Sequence, residues 1–173
     1  MSIDAGLVDR CYRAAKGGQW RTPKEGFARA LEASVARAFA GRVEDAREIE
    51  RYVTSLHLED LALACACAAG DDGAWDHFVL TRRPVLYRAA DALDSSGSAR
   101  DLADSLYADL FGQSLFRYYH GRSSLTTWLR AVLAQRYVDR LRARRRAEPL
   151  PEEDSATTLR APSRPVEPRR AVP

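Results

Sequence analysis

Seven arginines fall between positions 130 and 146: Arg130, Arg136, Arg140, Arg142, Arg144, Arg145 and Arg146, with Asp139 as the single acid among them. A guanidinium group carries a permanent charge and a planar fork of donors, which suits phosphate oxygens and the edges of bases. Arg136, Arg140 and Arg144 recur every four residues, so a helix would set them in a row on one face. Directly before them runs HGRSSLTTW, residues 120–128. His120, Arg122, Ser123, Ser124, Thr126 and Thr127 supply small donors and acceptors, and Tyr118, Tyr119 and Trp128 flank them with aromatic surface. That combination is expected where unstacked bases are held. The arginines alone read equally well as the basic end of a helix favoured by its dipole, and Trp128 alone as a core residue. The polar loop shifts the reading toward nucleic acid. Asp139 lies three residues from both Arg136 and Arg142 and is expected to pair with one of them. A second set of charges, Asp101, Asp104 and Asp109, alternates with Leu102 and Leu106 and is expected to face outward from an amphipathic helix.

Nothing else in the chain has the spacing of reactive chemistry. There is no glycine-rich phosphate loop and no evident carboxylate pair, and His57, His77 and His120 are scattered. Cys11, Cys65 and Cys67 form an odd set. They read as buried thiols of a reducing compartment, and Cys65-x-Cys67 lacks the ligand spacing of a zinc site. No catalytic residue, metal or cofactor is therefore expected. No apolar run is long enough to span a bilayer and no basic-then-apolar leader opens the chain, so a cytoplasmic protein without membrane contact is expected. The net charge of +3 over 173 residues is only mildly basic, and the distribution matters more than the total.

These groups must be positioned by helices. Leu, Ala and Arg dominate, and glycine and proline fall mostly between periodic segments, with no alternating strand pattern. The spacing predicts helices over 5–17, 24–40, 44–55, 58–69, 74–93 (with Pro84 inside), 101–111 and 125–145. Phe27, Leu31, Val35 and Phe39 make one apolar stripe. In the acidic helix, Leu102, Leu106 and Leu110 make a stripe beside Ala103, Tyr107 and Phe111. In the last helix the predicted buried stripe is Trp128, Ala131, Val132, Ala134, Val138 and Leu141, leaving the arginine row outside. The expected fold is all-α: a compact helical bundle over 58–147, an N-terminal helical extension over 1–57, and a proline-rich, disordered tail over 148–173.

The order AWDHFVLTRRPVLYRAA, ARDLADSLYADLFG and WLRAVLAQRYVDRLRARRR, from Ala74 to Arg146, resembles region 2 of sigma-70 family factors of bacterial RNA polymerase, of the extracytoplasmic-function type. The stretch SLHLEDLALACA upstream looks like an extension found in a subset of such factors. The resemblance implies a transcription initiation factor that binds core RNA polymerase and recognises and melts the minus-10 promoter element. It places Asp101, Leu102, Asp104, Ser105, Leu106 and Asp109 against the clamp helices of the β′ subunit. It places Tyr119, His120, Arg122, Ser123, Ser124, Thr126, Thr127, Trp128, Arg130, Gln135, Arg136, Tyr137, Arg140 and Arg144 on promoter DNA. Gln135 stands where the family has asparagine, and Asp104 and Ser105 where it often has Gln and Glu. No helix-turn-helix pattern for a minus-35 element follows Glu148. The alternative is a sigma-like protein that occupies polymerase or regulates it without autonomous promoter recognition. An anti-sigma factor is a further candidate partner.

Overall fold

The computed structural model describes residues 3–21, 23–42, 45–112 and 115–147. Seven α-helices follow one another among the described residues: α1 (Ala5–Ala14), α2 (Lys24–Ala38), α3 (Ala46–Thr54), α4 (Leu58–Ala68), α5 (Asp72–Leu93), α6 (Ser98–Gly112) and α7 (Leu125–Ala147). Short 3-10 turns occupy Gly17–Gln19 and Leu115–Tyr118, and no strand forms among the described residues. The all-α expectation therefore holds. The tail expected over 148–173 lies outside the described residues.

The helix starts follow from local chemistry. Aspartates at N-caps accept otherwise unpaired backbone N–H groups: Asp4 from Leu7 at 3.0 Å, Asp45 from Arg47 at 3.3 Å, and Asp71 from Ala74 at 2.7 Å. Asp71 also accepts from the backbone N–H of Arg21 at 2.8 Å, which ties the end of the N-terminal turn to the start of α5. These bonds hold its carboxyl below the usual carboxylate range. α6 begins at Ser98, three residues before the predicted 101, because Asp94 gathers the Ser96 N–H and the Ser98 hydroxyl into a turn. α5 continues through Pro84, whose side chain is exposed.

Phe27, Leu31, Val35 and Phe39 are all buried, as their spacing predicts. They pack near α4, whose Leu61, Ala62, Leu63, Ala64 and Ala66 are buried in turn. α4 is thereby central, packed against α1, α2 and α5. Beyond it, Phe78 is completely buried, with the rings of Trp75, Tyr107 and Phe116 5.3–5.9 Å away. One continuous hydrophobic cluster runs from Ile3 of the N-terminal segment to Leu133 of α7. Each fully buried Leu or Phe contributes about 1.5–3 kcal/mol from apolar burial.

Two stripes differ from expectation. In α7 the buried residues are Leu125, Leu129 and Leu133; Trp128 and Val132 are half-buried at the margin, and Ala131 and Val138 are exposed. In α6 the buried face is Ala99, Ala103, Leu106 and Leu110, while Phe111 is 71% exposed. Both helices carry apolar residues around much of their circumference, so periodicity allowed more than one stripe.

Burial in α4 pushes the thiols of Cys65 and Cys67 up to about 12. At pH 8 their thiolate fraction is then about a thousand-fold below that of a free cysteine. Iodoacetamide should label both about a thousand-fold more slowly in the folded chain than in urea. Equal rates would place these thiols at the surface.

Candidate nucleic-acid interface

The loop ahead of α7 is held by buried bonds on several sides. Gly121 turns the chain with φ +73°, and a Cβ there would stand 3.5 Å from Cβ of Leu56. Such a left-handed turn favours glycine. The carbonyl of His120 accepts from the Ser34 hydroxyl at 2.8 Å, and the carbonyl of Gly121 from the His57 N–H at 2.8 Å. Asp60 of α4 sits beneath the next turn. Its carboxylate accepts the Leu125 N–H at 2.7 Å and the Arg82 guanidinium at 2.9 Å, and Arg82 also donates to the Thr126 hydroxyl at 3.2 Å. Ser124 caps α7 by accepting the Thr127 N–H at 3.1 Å.

This scaffolding redistributes the roles expected from sequence. Tyr119 is buried, with its ring 5.5 Å from that of Trp128 and its hydroxyl donating to the Ser123 carbonyl at 2.7 Å. Burial pushes that phenol far above its usual range. Tyr119 is therefore not an open stacking wall; it is the floor of the loop. Ser124 and Thr126 each spend hydrogen-bonding capacity on the local structure. Arg122 and Thr127 are exposed, and His120, Ser123 and Trp128 are half-buried. Burial, followed by the nearby charges of Arg37 and Arg122, disfavours the protonated form of His120.

The arginine row is also rearranged. Leu125, Leu129 and Leu133 continue at helical spacing to Arg136 and Arg140, so these two arginines occupy the core-facing line where the bundle thins out. Arg136 pairs with Asp109 of α6 at 2.6 Å. Arg140 donates to the carbonyl of Ser98, at the start of α6, at 2.9 Å. Both fasten α7 to α6, which corrects the expectation that they stand in an outward row. Asp139 pairs with Arg142 at 3.6 Å and accepts from Gln135 at 3.1 Å. Tyr137 packs against the core cluster. Arg130 and Arg144, with Arg145 and Arg146, remain exposed.

On α6 the expected docking face shrinks at one edge and grows at another. Leu106 is completely buried and cannot meet a partner. Asp109 is half-buried and already paired with Arg136. Asp104 is exposed and accepts from the Tyr87 hydroxyl, with Arg83 at 4.0 Å. Ser105 donates to the Leu102 carbonyl at 2.9 Å. The outer face of α6 comprises Asp101, Asp104, Ser105, Ala108 and Phe111, with Leu102 half-buried beside them and the exposed Arg100 paired with Asp91 of α5 at 2.6 Å.

Sequence reasoning missed Asp60, Arg82 and Ser34, whose contacts to the loop and the start of α7 span 44 to 86 residues of chain. Only the Ser-Ser-Leu-Thr-Thr pattern, a capping signal, hinted at how the loop is held. Phe111 was missed as an outward residue because it was assigned to a buried stripe. Comparison with protein-family models, curated proteins and solved structures returned no match.

Proposed function

We propose that the chain is a sigma-type transcription initiation factor that docks on core RNA polymerase through the outer face of α6 and engages the melted minus-10 element with the loop 120–127 and the exposed arginines of α7. The observation that carries this reading is a polar loop fixed from behind by Asp60 and Arg82, with Arg122, Thr127 and Arg130 left exposed around it. A preorganised polar surface binds unstacked bases without first losing entropy of its own. Opening would then follow from binding unpaired bases better than paired ones, with no bond chemistry in this chain. The partner on α6 is basic in this reading, facing Asp101 and Asp104, and the site of action is the cytoplasm. An anti-sigma factor would compete for the same α6 face.

Capture of core polymerase by the purified chain, followed by initiation on a promoter pool, tests the proposal. A second reading is favoured by one observation: Arg136 and Arg140 are engaged with α6. A sigma-like protein that occupies polymerase without opening promoters would capture core and initiate nowhere.

Duplex DNA should bind weakly and with steep salt dependence. Replacing Arg144, Arg145 and Arg146 together by alanine should flatten the slope of log affinity against log salt by about 2–3 units, at roughly 0.9 per phosphate contact. Arg136→Ala with Arg140→Ala should leave the slope unchanged and lower stability instead. Anisotropy titrations at several salt concentrations decide this, and the reverse pattern would return the inner arginines to the DNA.

A further inference from the structure

We infer that the N-terminal helices form a clamp that sets the conformation of the loop 120–124, with Ser34 as its central positioning residue, and that this clamp tunes which base the loop accepts. The second half rests on the proposed reading of the loop.

Ser34 is the buried polar side chain of the described core, at 1% exposure, between Leu31 and Val35 on the inward face of α2. A serine hydroxyl gives nothing to apolar packing and costs free energy unless it is bonded. Its bonds lead out of α2. It lies 2.8 Å from the Tyr52 hydroxyl of α3 and 2.8 Å from the His120 carbonyl. A serine has one hydroxyl proton, and the carbonyl can only accept. Ser34 therefore donates to His120, and Tyr52 donates to Ser34. The Tyr52 ring is itself fixed against Phe39, 5.5 Å away, edge to face.

One residue further along the loop, the Gly121 carbonyl accepts the His57 N–H at 2.8 Å from the turn between α3 and α4. Leu56 of the same turn is buried where Gly121 approaches it. Two consecutive loop carbonyls are thus held by α2 and by the α3–α4 turn, with α3 holding Ser34. Fixing those two peptide planes fixes the direction in which Arg122 and Ser123 leave the turn. The N-terminal segment becomes part of the reading site without any of its residues touching a base.

Amide hydrogen exchange on the full chain tests the clamp directly. Ser34→Ala should speed exchange of the His57 N–H, which bonds to the loop, by about ten-fold, in line with losing one buried hydrogen-bond partner. Amides in the middle of α6 should keep the parent rate. Tyr52→Phe keeps the ring and should give a smaller change in the same direction; it also serves if the alanine variant does not fold. Competition among single-stranded minus-10 variants, with core polymerase present, tests the consequence. Preference at one promoter position should relax by about ten-fold in Ser34→Ala while the other positions hold. Parent-like exchange at His57 in both variants would overturn the clamp. Faster exchange with unchanged base preference would overturn its link to recognition. If the parent chain selects no sequence at all, the functional reading of the loop falls, and the exchange rates still decide the clamp.

Discussion

Asp60→Ala should lower the stability of the fold by about 3 kcal/mol in urea unfolding, because it removes one half of a largely buried ion pair. The Asp60 and Arg82 side chains are only 18% and 24% exposed and lie 2.9 Å apart. The guanidinium has little else: its Nε is buried without a partner, and Thr126 takes a single bond. Without the carboxylate, α7 also loses the acceptor for its first N–H, at the helix end where negative charge is most favourable. Asp60→Asn keeps one acceptor for the Leu125 N–H but sets its NH2 against the Arg82 guanidinium, and should recover only part of the loss. Asp60→Leu combined with Arg82→Met should recover much of the loss, since a buried pair exchanged for apolar groups is often near neutral. A loss below about 1 kcal/mol for Asp60→Ala would mean that water screens the pair as it does at a surface.

On the proposed docking, Asp101→Lys together with Asp104→Lys should weaken capture of core polymerase about a hundred-fold, as like charges would be forced together across that interface. The two positions are not equivalent. Asp104 has internal partners in Tyr87 and Arg83, so its reversal also sets a lysine beside a cation within the fold. Asp101 is exposed, and Asp101→Lys alone, at about ten-fold, isolates the surface effect. Phe111→Ala tests the apolar end of the same face. Binding is measured by titrating labelled protein with core enzyme, with helical content checked by circular dichroism. Parent-like affinity for the double reversal would show that α6 is not the docking face.

The helical class, the number of helices and most of their limits were legible in residue order, because they depend on local signals. Aspartates at N-caps, glycine at turns and the four-residue stripe of α2 act over one or two helical turns. The candidate site could be picked out as well, since a polar loop followed by arginines is contiguous in the chain. Asp60 was not: it reads as one acid in the first turn of α4, and its role exists only because the start of α7, 65 residues later, folds over it.

α6 and α7 show where residue order stops deciding. α7 has leucines at 125, 129 and 133 and a second apolar set at 128, 131, 132, 134 and 138, so the sequence determined a helix but not which side it buries. The same ambiguity governed whether Arg136 and Arg140 face solvent and whether Leu106 is open to a partner. Packing of α7 against both α5 and α6 resolved it. Neighbours from distant parts of the chain select the face that excludes most apolar area while leaving few buried polar groups without a partner. Arg136 could turn inward because Asp109 and the end of the bundle were there to receive it. Local sequence carries the period of a helix; only the assembled bundle carries its phase, because phase is set by what stands opposite.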